Sequence, residues 1–380
     1  MSERPPNEPS RCAAGPLTGS GAEAPRTHAP GDEALPRAVF TRARVWASAV
    51  FVIAIVAFLY LGLPKLVGYG SSLRRLDQGN AWWLGGAALL ELLSFCGYVV
   101  LFRTVFVHRS RRIGWAVSYQ ITMAGLAATR LFAAAGAGGI ALTAWALRRS
   151  GMERRLVASR MVAFLSLLYG VYMGALVLDG VGLYLHAWAG ASPFALTIVP
   201  AILGAVVIAA FLGISALPRD LDRLVASRAA RPGPLGMLSR RLASVPTAMA
   251  TGVRTALALI RGANPGLLGA LAWWGFDIAT LWACFHAFGY RPHTAVIVMA
   301  YFVGWLGNVL PLPGGVGGVE GGMIGAFTLL GVDLQAAVIA VLAYRAFSFW
   351  LPTLPGGLAY FQLRRTVRGW AAEPASASYT

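Results

Sequence analysis

Charge is scarce in this chain, and what there is leans to one sign. Only 12% of its 380 residues are charged, with 32 Lys and Arg against 15 Asp and Glu. A hydrophobic content of 57% with a mean hydropathy of +0.63 excludes a soluble protein of two or three domains and identifies a polytopic membrane protein. The net charge of +17 does not point to nucleic acid. The arginines cluster in short segments between apolar runs, as cytoplasmic loops do, and no base-reading module is visible. Cysteine is equally sparse: Cys12 lies in a polar tail and Cys96 and Cys284 in apolar spans, without CxxC or the spacing of a disulfide framework. His28, His108, His186, His286 and His293 show no ligand spacing, and HExxH, a phosphate-binding P-loop and a nucleophile elbow are missing. We therefore expect no cofactor, no metal, no ATP-driven pumping by this chain alone and no enzyme activity.

What is there is a succession of membrane-length apolar runs, at 45–63, 81–102, 115–135, 156–178, 191–217, 266–288, 294–310 and 336–360. Two shorter pieces, 136–147 and 314–330, follow glycine clusters. The first of these falls below the roughly 17 residues a spanning helix needs. Each is predicted to form a re-entrant hairpin with the span before it. Residues 1–44 are rich in Pro, Ala, Gly, Arg and Glu and read as a disordered cytoplasmic tail. The first apolar run starts far from Met1 and is long enough to stay as an anchor rather than a cleaved signal. The expected organisation is one transmembrane domain over 45–368 with a basic cytoplasmic linker at 218–265, then a disordered tail at 369–380.

Basic residues give the sides. Arg42 and Arg44, then Arg103, Arg109, Arg111 and Arg112, then Arg148, Arg149, Arg154 and Arg155 all belong inside, as do the linker and Arg364, Arg365 and Arg368. Both termini are thus expected in the cytoplasm of a cell-membrane protein. The connection 331–335 has no basic residue and is predicted to lie outside.

The two halves also match. Gly136, Gly138 and Gly139 align with Gly315, Gly317 and Gly318; Glu91 and Ser94 with Asp277 and Thr280; Arg160 and Phe164 with Arg345 and Phe349. The offsets run from 186 to 179 and back to 185, so gaps fall in or near loops. With 81 starting outside and 266 inside, the repeats (about 81–178 and 266–360) are expected to have opposite orientation. The fold class expected is therefore an all-α integral membrane bundle of six full spans, with inverted repeats and two re-entrant glycine-rich hairpins.

The most specific stretch is 310–327, LPLPGGVGGVEGGMIGAF. Pro311 and Pro313 end the preceding helix and free the N–H groups of the next half-helix, which at depth must be met by protein or by a watery cavity. This stretch with Glu320, the following Gly331-Val332-Asp333 connection and Arg345 in the last span resemble the membrane domain of the lysylphosphatidylglycerol synthase/flippase family, over roughly 45–368. The resemblance implies that family's fold and lipid translocation. The chain as given ends soon after the last span, so the aminoacyl-transferase domain, and aminoacyl transfer with it, is not expected. Phe132 and Ala134 stand where the second repeat has Pro311 and Pro313, so the two hairpins are not equivalent.

Two readings compete at these residues. Gly314, Gly318 and Gly322 share a helical face beside Gly317, Gly321 and Gly325, a spacing that lets helices pack closely in lipid. An exposed helix N-terminus near Gly314 and Gly315 equally suits a phosphate, with glycine leaving room for it. The mid-span ionisable residues Glu91, Asp277, Glu320, Arg130, Arg160 and Arg345 number three acids and three bases. They need partners or water and serve either as fixed ion pairs or as the site of an anionic headgroup; the sequence does not assign the pairs. Candidate substrate-binding residues are thus Pro311, Pro313, Gly314, Gly315, Gly317, Gly318, Glu320, Arg345, Asp277, Glu91, Arg160, Gly138 and Gly139. The expected partners are membrane lipids with anionic headgroups, with a lipid-biosynthetic enzyme as a possible companion and no nucleic acid. The leading function is flipping of an anionic phospholipid or polyprenyl-phosphate-linked lipid. The alternatives are a non-transporting subunit that scaffolds a lipid or cell-envelope enzyme, and an intramembrane transferase with Glu320 as base.

Overall fold

The computed structural model describes residues 79–107, 112–131, 137–216, 234–309 and 315–372, together with Val50. The predicted span at 45–63, the N-terminal tail, Pro311, Pro313 and Gly314 lie outside the described residues. Every regular element among the described residues is helical. In chain order these are α1 (Ala81–Phe106), α2 (Trp115–Leu131), α3 (Ala137–Arg149), α4 (Arg154–Tyr184), α5 (Phe194–Ser215), α6 (Pro234–Arg261), α7 (Leu268–Ala287), α8 (Thr294–Trp305), α9 (Gly318–Leu329), α10 (Leu334–Arg345) and α11 (Leu351–Ala372).

Five segments are long and apolar enough to cross a membrane: α1, α4, α5, Pro265–Ala287 and the continuous rod Leu334–Trp370. They coincide with five of the six full spans expected. Their ends are set locally. The Asn80 side chain accepts from the N–H groups of Trp82 and Trp83 at 3.0 and 3.4 Å, and Asp333 accepts from Ala336 N–H at 3.0 Å. Large apolar side chains on α5, among them Phe194, Val199, Ile202 and Val206, are exposed, as lipid-facing residues are in an integral membrane protein.

The centre is the crossing of α1 and α7. Asn80 N–H donates to Ala287 O at 2.9 Å, Thr280 Oγ1 to Ala87 O at 3.4 Å and Ser94 Oγ to Trp273 O at 2.7 Å, so the two helices run antiparallel. The last two bonds are the same bond exchanged. Adding 186 to Ser94 gives Thr280, and subtracting it from Trp273 gives Ala87. Close approach is possible because Gly97 and Gly269 face each other; a Cβ on Gly97 would sit 2.9 Å from Gly269 O.

Two pairs of short antiparallel helices flank this centre. In the first, α2 packs on α3 where Gly139 meets Gly125; a Cβ on Gly139 would sit 2.2 Å from Thr129 Oγ1 and 2.5 Å from Gly125 O. In the second, α8 packs on α9 where Gly304 and Gly307 meet Gly322, Met323 and Gly318; a Cβ on Gly307 would sit 2.3 Å from Gly318 O. Gly125 and Gly139 fall on Gly304 and Gly318 at the offset of 179. With 12 residues, α9 is about 18 Å long, well under the ~30 Å of a hydrocarbon core.

Two further elements complete the described chain. The second half of the basic linker 218–265 is α6, which packs on α4, where a Cβ on Gly252 would meet Ser159 O at 2.6 Å. The final rod is interrupted by a π turn at Ala346–Trp350. Pro352 has no N–H to offer Ser348 O, the carbonyl four residues back, and the helix widens there.

Candidate functional site

That freed carbonyl is where the site begins. Arg130, at the end of α2, donates from Nη2 to Ser348 O at 2.7 Å, supplying the bond that Pro352 cannot. The Phe349 ring is then within reach of two guanidiniums, with Arg130 5.7 Å and Arg345 5.0 Å from its centroid. Arg345 donates from Nε to Glu320 Oε1 at 2.6 Å, and both residues are buried, at 5% and 3% exposure. This charge-assisted bond assigns one of the pairs that the sequence left open.

Glu320 has a second partner. Its Oε2 accepts from Gly317 N–H at 2.7 Å, so the carboxylate folds back over the N-terminus of its own helix. The helix starts at Gly318 rather than at Gly314 because Gly315 and Gly317 have φ values of +66° and +89°, left-handed backbone that no regular helix adopts. Nor does Gly315 leave the open space expected of it. A Cβ there would sit 2.1 Å from Asn308 Oδ1, so the protein's own side chain fills that position.

On the central crossing, Glu91 of α1 and Asp277 of α7 are both nearly inaccessible, at 2% and 3% exposure, and their carboxyls lie within hydrogen-bonding reach of one another. Asp277 Oδ2 accepts from the Tyr301 hydroxyl of α8 and from the Tyr344 hydroxyl of α10, the latter at 3.0 Å. Arg130 lies within electrostatic range of both acids and of Arg345. With the Glu320–Arg345 pair, the arrangement joins six helices, α1, α2, α7, α8, α9 and α10, and the π turn around one buried polar centre.

Other candidates fall elsewhere. Arg160 donates from Nη1 to Val105 O and Phe106 O at 2.9 and 3.2 Å, closing the C-terminus of α1, and the structure does not bring it to the acids. Gly139 serves the α2–α3 contact and Gly138 is buried beside it. A cavity of about 240 Å³ opens among the loops, lined in part by Arg291, His293 and Asp333, and contains none of the central residues. Tyr301 and Tyr344 escaped the sequence reading. A tyrosine in an apolar run equally suits a membrane-interface belt, and only its partner distinguishes the two.

The comparisons with known proteins agree with a membrane domain. The family described as lysylphosphatidylglycerol synthase TM region matches residues 45–356. A UPF0104 membrane protein of Methanothermobacter thermautotrophicus is 35% identical over 95 residues, 25% of this chain and 27% of the relative. The match thus spans about a quarter of that protein's length.

Proposed function

Because the chain belongs to the lysylphosphatidylglycerol synthase TM region family, a family of membrane domains, we propose that it moves an anionic phospholipid or a polyprenyl-phosphate-linked lipid between the leaflets of the cell membrane. The observation that carries this reading is the pair of guanidiniums, Arg130 and Arg345, that meet at the Phe349 ring beside a half-helix whose N-terminal Gly317 N–H is held by Glu320. Arg130 Nη1 is buried and has no hydrogen-bond partner among the described residues. A lipid phosphate fits as its acceptor. In this mechanism Glu320 is the resting occupant of the helix N-terminus, and the incoming phosphate competes with it for Gly317 N–H and for Arg345. Acyl or polyprenyl tails stay in lipid while the headgroup crosses the polar centre.

Alternating access by rocking of two oppositely oriented halves is supported by the antiparallel α1–α7 crossing, by the exchanged Ser94 and Thr280 bonds and by the shared glycine contacts of the two short pairs. The orientation has its own test: with Cys12, Cys96 and Cys284 replaced, Asp333→Cys should react with an impermeant thiol reagent in intact cells and Ser150→Cys only after permeabilisation. Labelling of Asp333→Cys only after permeabilisation contradicts opposite orientation. The function is tested with purified protein in liposomes holding fluorescent phosphatidylglycerol or a polyprenyl phosphate in one leaflet. Exchange faster than in protein-free liposomes is expected. No acceleration for either lipid overturns the proposal in favour of a non-transporting membrane subunit.

A further inference from the structure

We infer that Glu91 and Asp277 form a proton-binding site: the two carboxyls share one exchangeable proton across the α1–α7 crossing, and its occupancy is coupled to passage of the anionic headgroup. Coupling rests on the translocation reading above; the proton site does not.

The first support is a charge count that only the structure permits. By sequence the interior holds three acids and three bases, but Arg160 is occupied with the carbonyl end of α1. Around the centre remain Glu91, Asp277 and Glu320 against Arg130 and Arg345. Glu320 and Arg345 neutralise one another. Arg130 then faces two carboxylates, which leaves one negative charge in a low-dielectric interior, where an unpaired charge is strongly disfavoured. One proton removes it.

The second support is the pattern of unsatisfied atoms. Glu91 Oε2 and Asp277 Oδ1 are buried with no donor among the described residues, although each belongs to a carboxyl within reach of the other. A proton held between two carboxyls satisfies one oxygen as donor and one as acceptor, as in carboxyl dyads that cannot both ionise at close range. Tyr301 and Tyr344 donate to Asp277, from α8 and α10. Thr280 and Cys284 face the pair from α7, Tyr98 lies with Arg130 on the α1 side, and Arg130 comes from α2. An anionic headgroup arriving at Arg130 adds a further negative charge, so proton and anion favour one another's binding, and by reciprocity protonation raises affinity for the anion. The proton enters from water on one side, converts one carboxylate to a carboxyl, and returns to water after the headgroup has crossed. The coupling is symport.

Infrared spectroscopy of the purified protein in lipid nanodiscs at neutral pH tests the site, through the carboxyl C=O stretch of a protonated acid and its displacement in D2O. Asp179 on α4 is also buried with an oxygen lacking a partner, so the measurement uses an Asp179→Asn background. That protein should show the band, and both Glu91→Gln and Asp277→Asn should lose it, because either change leaves one carboxylate opposite Arg130 and no charge to neutralise. No carboxyl band in the Asp179→Asn protein overturns the site, whether or not the other variants fold. A band that survives either substitution shows an independently protonated acid and overturns sharing. For coupling, a one-unit pH gradient across liposomes should drive up to about tenfold asymmetry of labelled phosphatidylglycerol at one proton per lipid. Exchange that ignores the gradient overturns the coupling and leaves translocation standing. No exchange under any gradient overturns translocation and coupling together, while the infrared result decides the proton site alone.

Discussion

The two short helix pairs are built around the same contact and carry different chemistry. In α2–α3 and in α8–α9 a glycine on each helix removes the side chain that would hold them apart, at positions 125 and 139 in one and 304 and 318 in the other. Ala141 then stands where the second pair has Glu320, and Arg160 closes a helix end where its counterpart Arg345 holds that glutamate. Glycine crossings present in both pairs are architecture. A buried carboxylate and guanidinium present in one of them are where the two pairs part. Of the two readings of these glycines, the contacts at Gly304, Gly307 and Gly318 accord with close helix packing, while the N–H of Gly317 is held by Glu320.

The comparison breaks most easily at the two arginines. Arg345→Ala leaves Glu320 buried without its partner, a change that costs about 3–5 kcal/mol, whereas Arg160→Ala removes hydrogen bonds to two carbonyls at a half-buried position, worth about 1 kcal/mol. Thermal unfolding in detergent should place the Arg345 variant far below the Arg160 variant. Equal losses contradict the asymmetry, and an Arg345 variant with unchanged melting and unchanged lipid exchange contradicts both a structural and a recognition role.

A second expectation treats the pairs alike. Gly139→Ala and Gly304→Ala each drive a methyl into backbone or Met323 of the neighbouring helix, which costs about 1–3 kcal/mol when a packed interior must shift. Their losses of melting temperature should be comparable. A Gly304 variant that tolerates alanine while Gly139 does not means that the second pair opens readily, as a gate does, and the shared contact is not shared in energy.

How much of this was legible depends on the range of the interaction. Span positions were readable because length and apolarity are properties of consecutive residues, and the run at 81–102 became α1 with only its last turn added. The facing of Glu91 and Asp277 was half readable, since the matched segments place the two acids at equivalent positions of α1 and α7, and those helices cross antiparallel. Pairing Arg345 with Glu320 was not readable, because three arginines were available and the choice depends on which helix end needed closing. The start of α9 was misread by four residues. Alternating glycines are compatible with helix and with left-handed backbone alike, and it is Asn308 packed into the turn that selects the latter at Gly315.

The smallest expected effect lies on the other face of α9. Gly321 is exposed, and a Cβ added to it meets nothing within 4 Å, although it stands in the same run of glycines as Gly318 and Gly322. Replacing a helical glycine by alanine where there is room gains up to about 1 kcal/mol through backbone propensity. Gly321→Ala should therefore melt at or slightly above the parent, in contrast to Gly304→Ala on the crossing face, and that difference is what assigns the glycines to one face. A marked loss of stability means that a neighbour packs on the open face and that the division between crossing and open glycines is wrong. Retained stability with slowed lipid exchange sharpens the comparison instead, because it makes the open glycine face of the second pair, with no equivalent demand in the first, the surface past which the lipid moves.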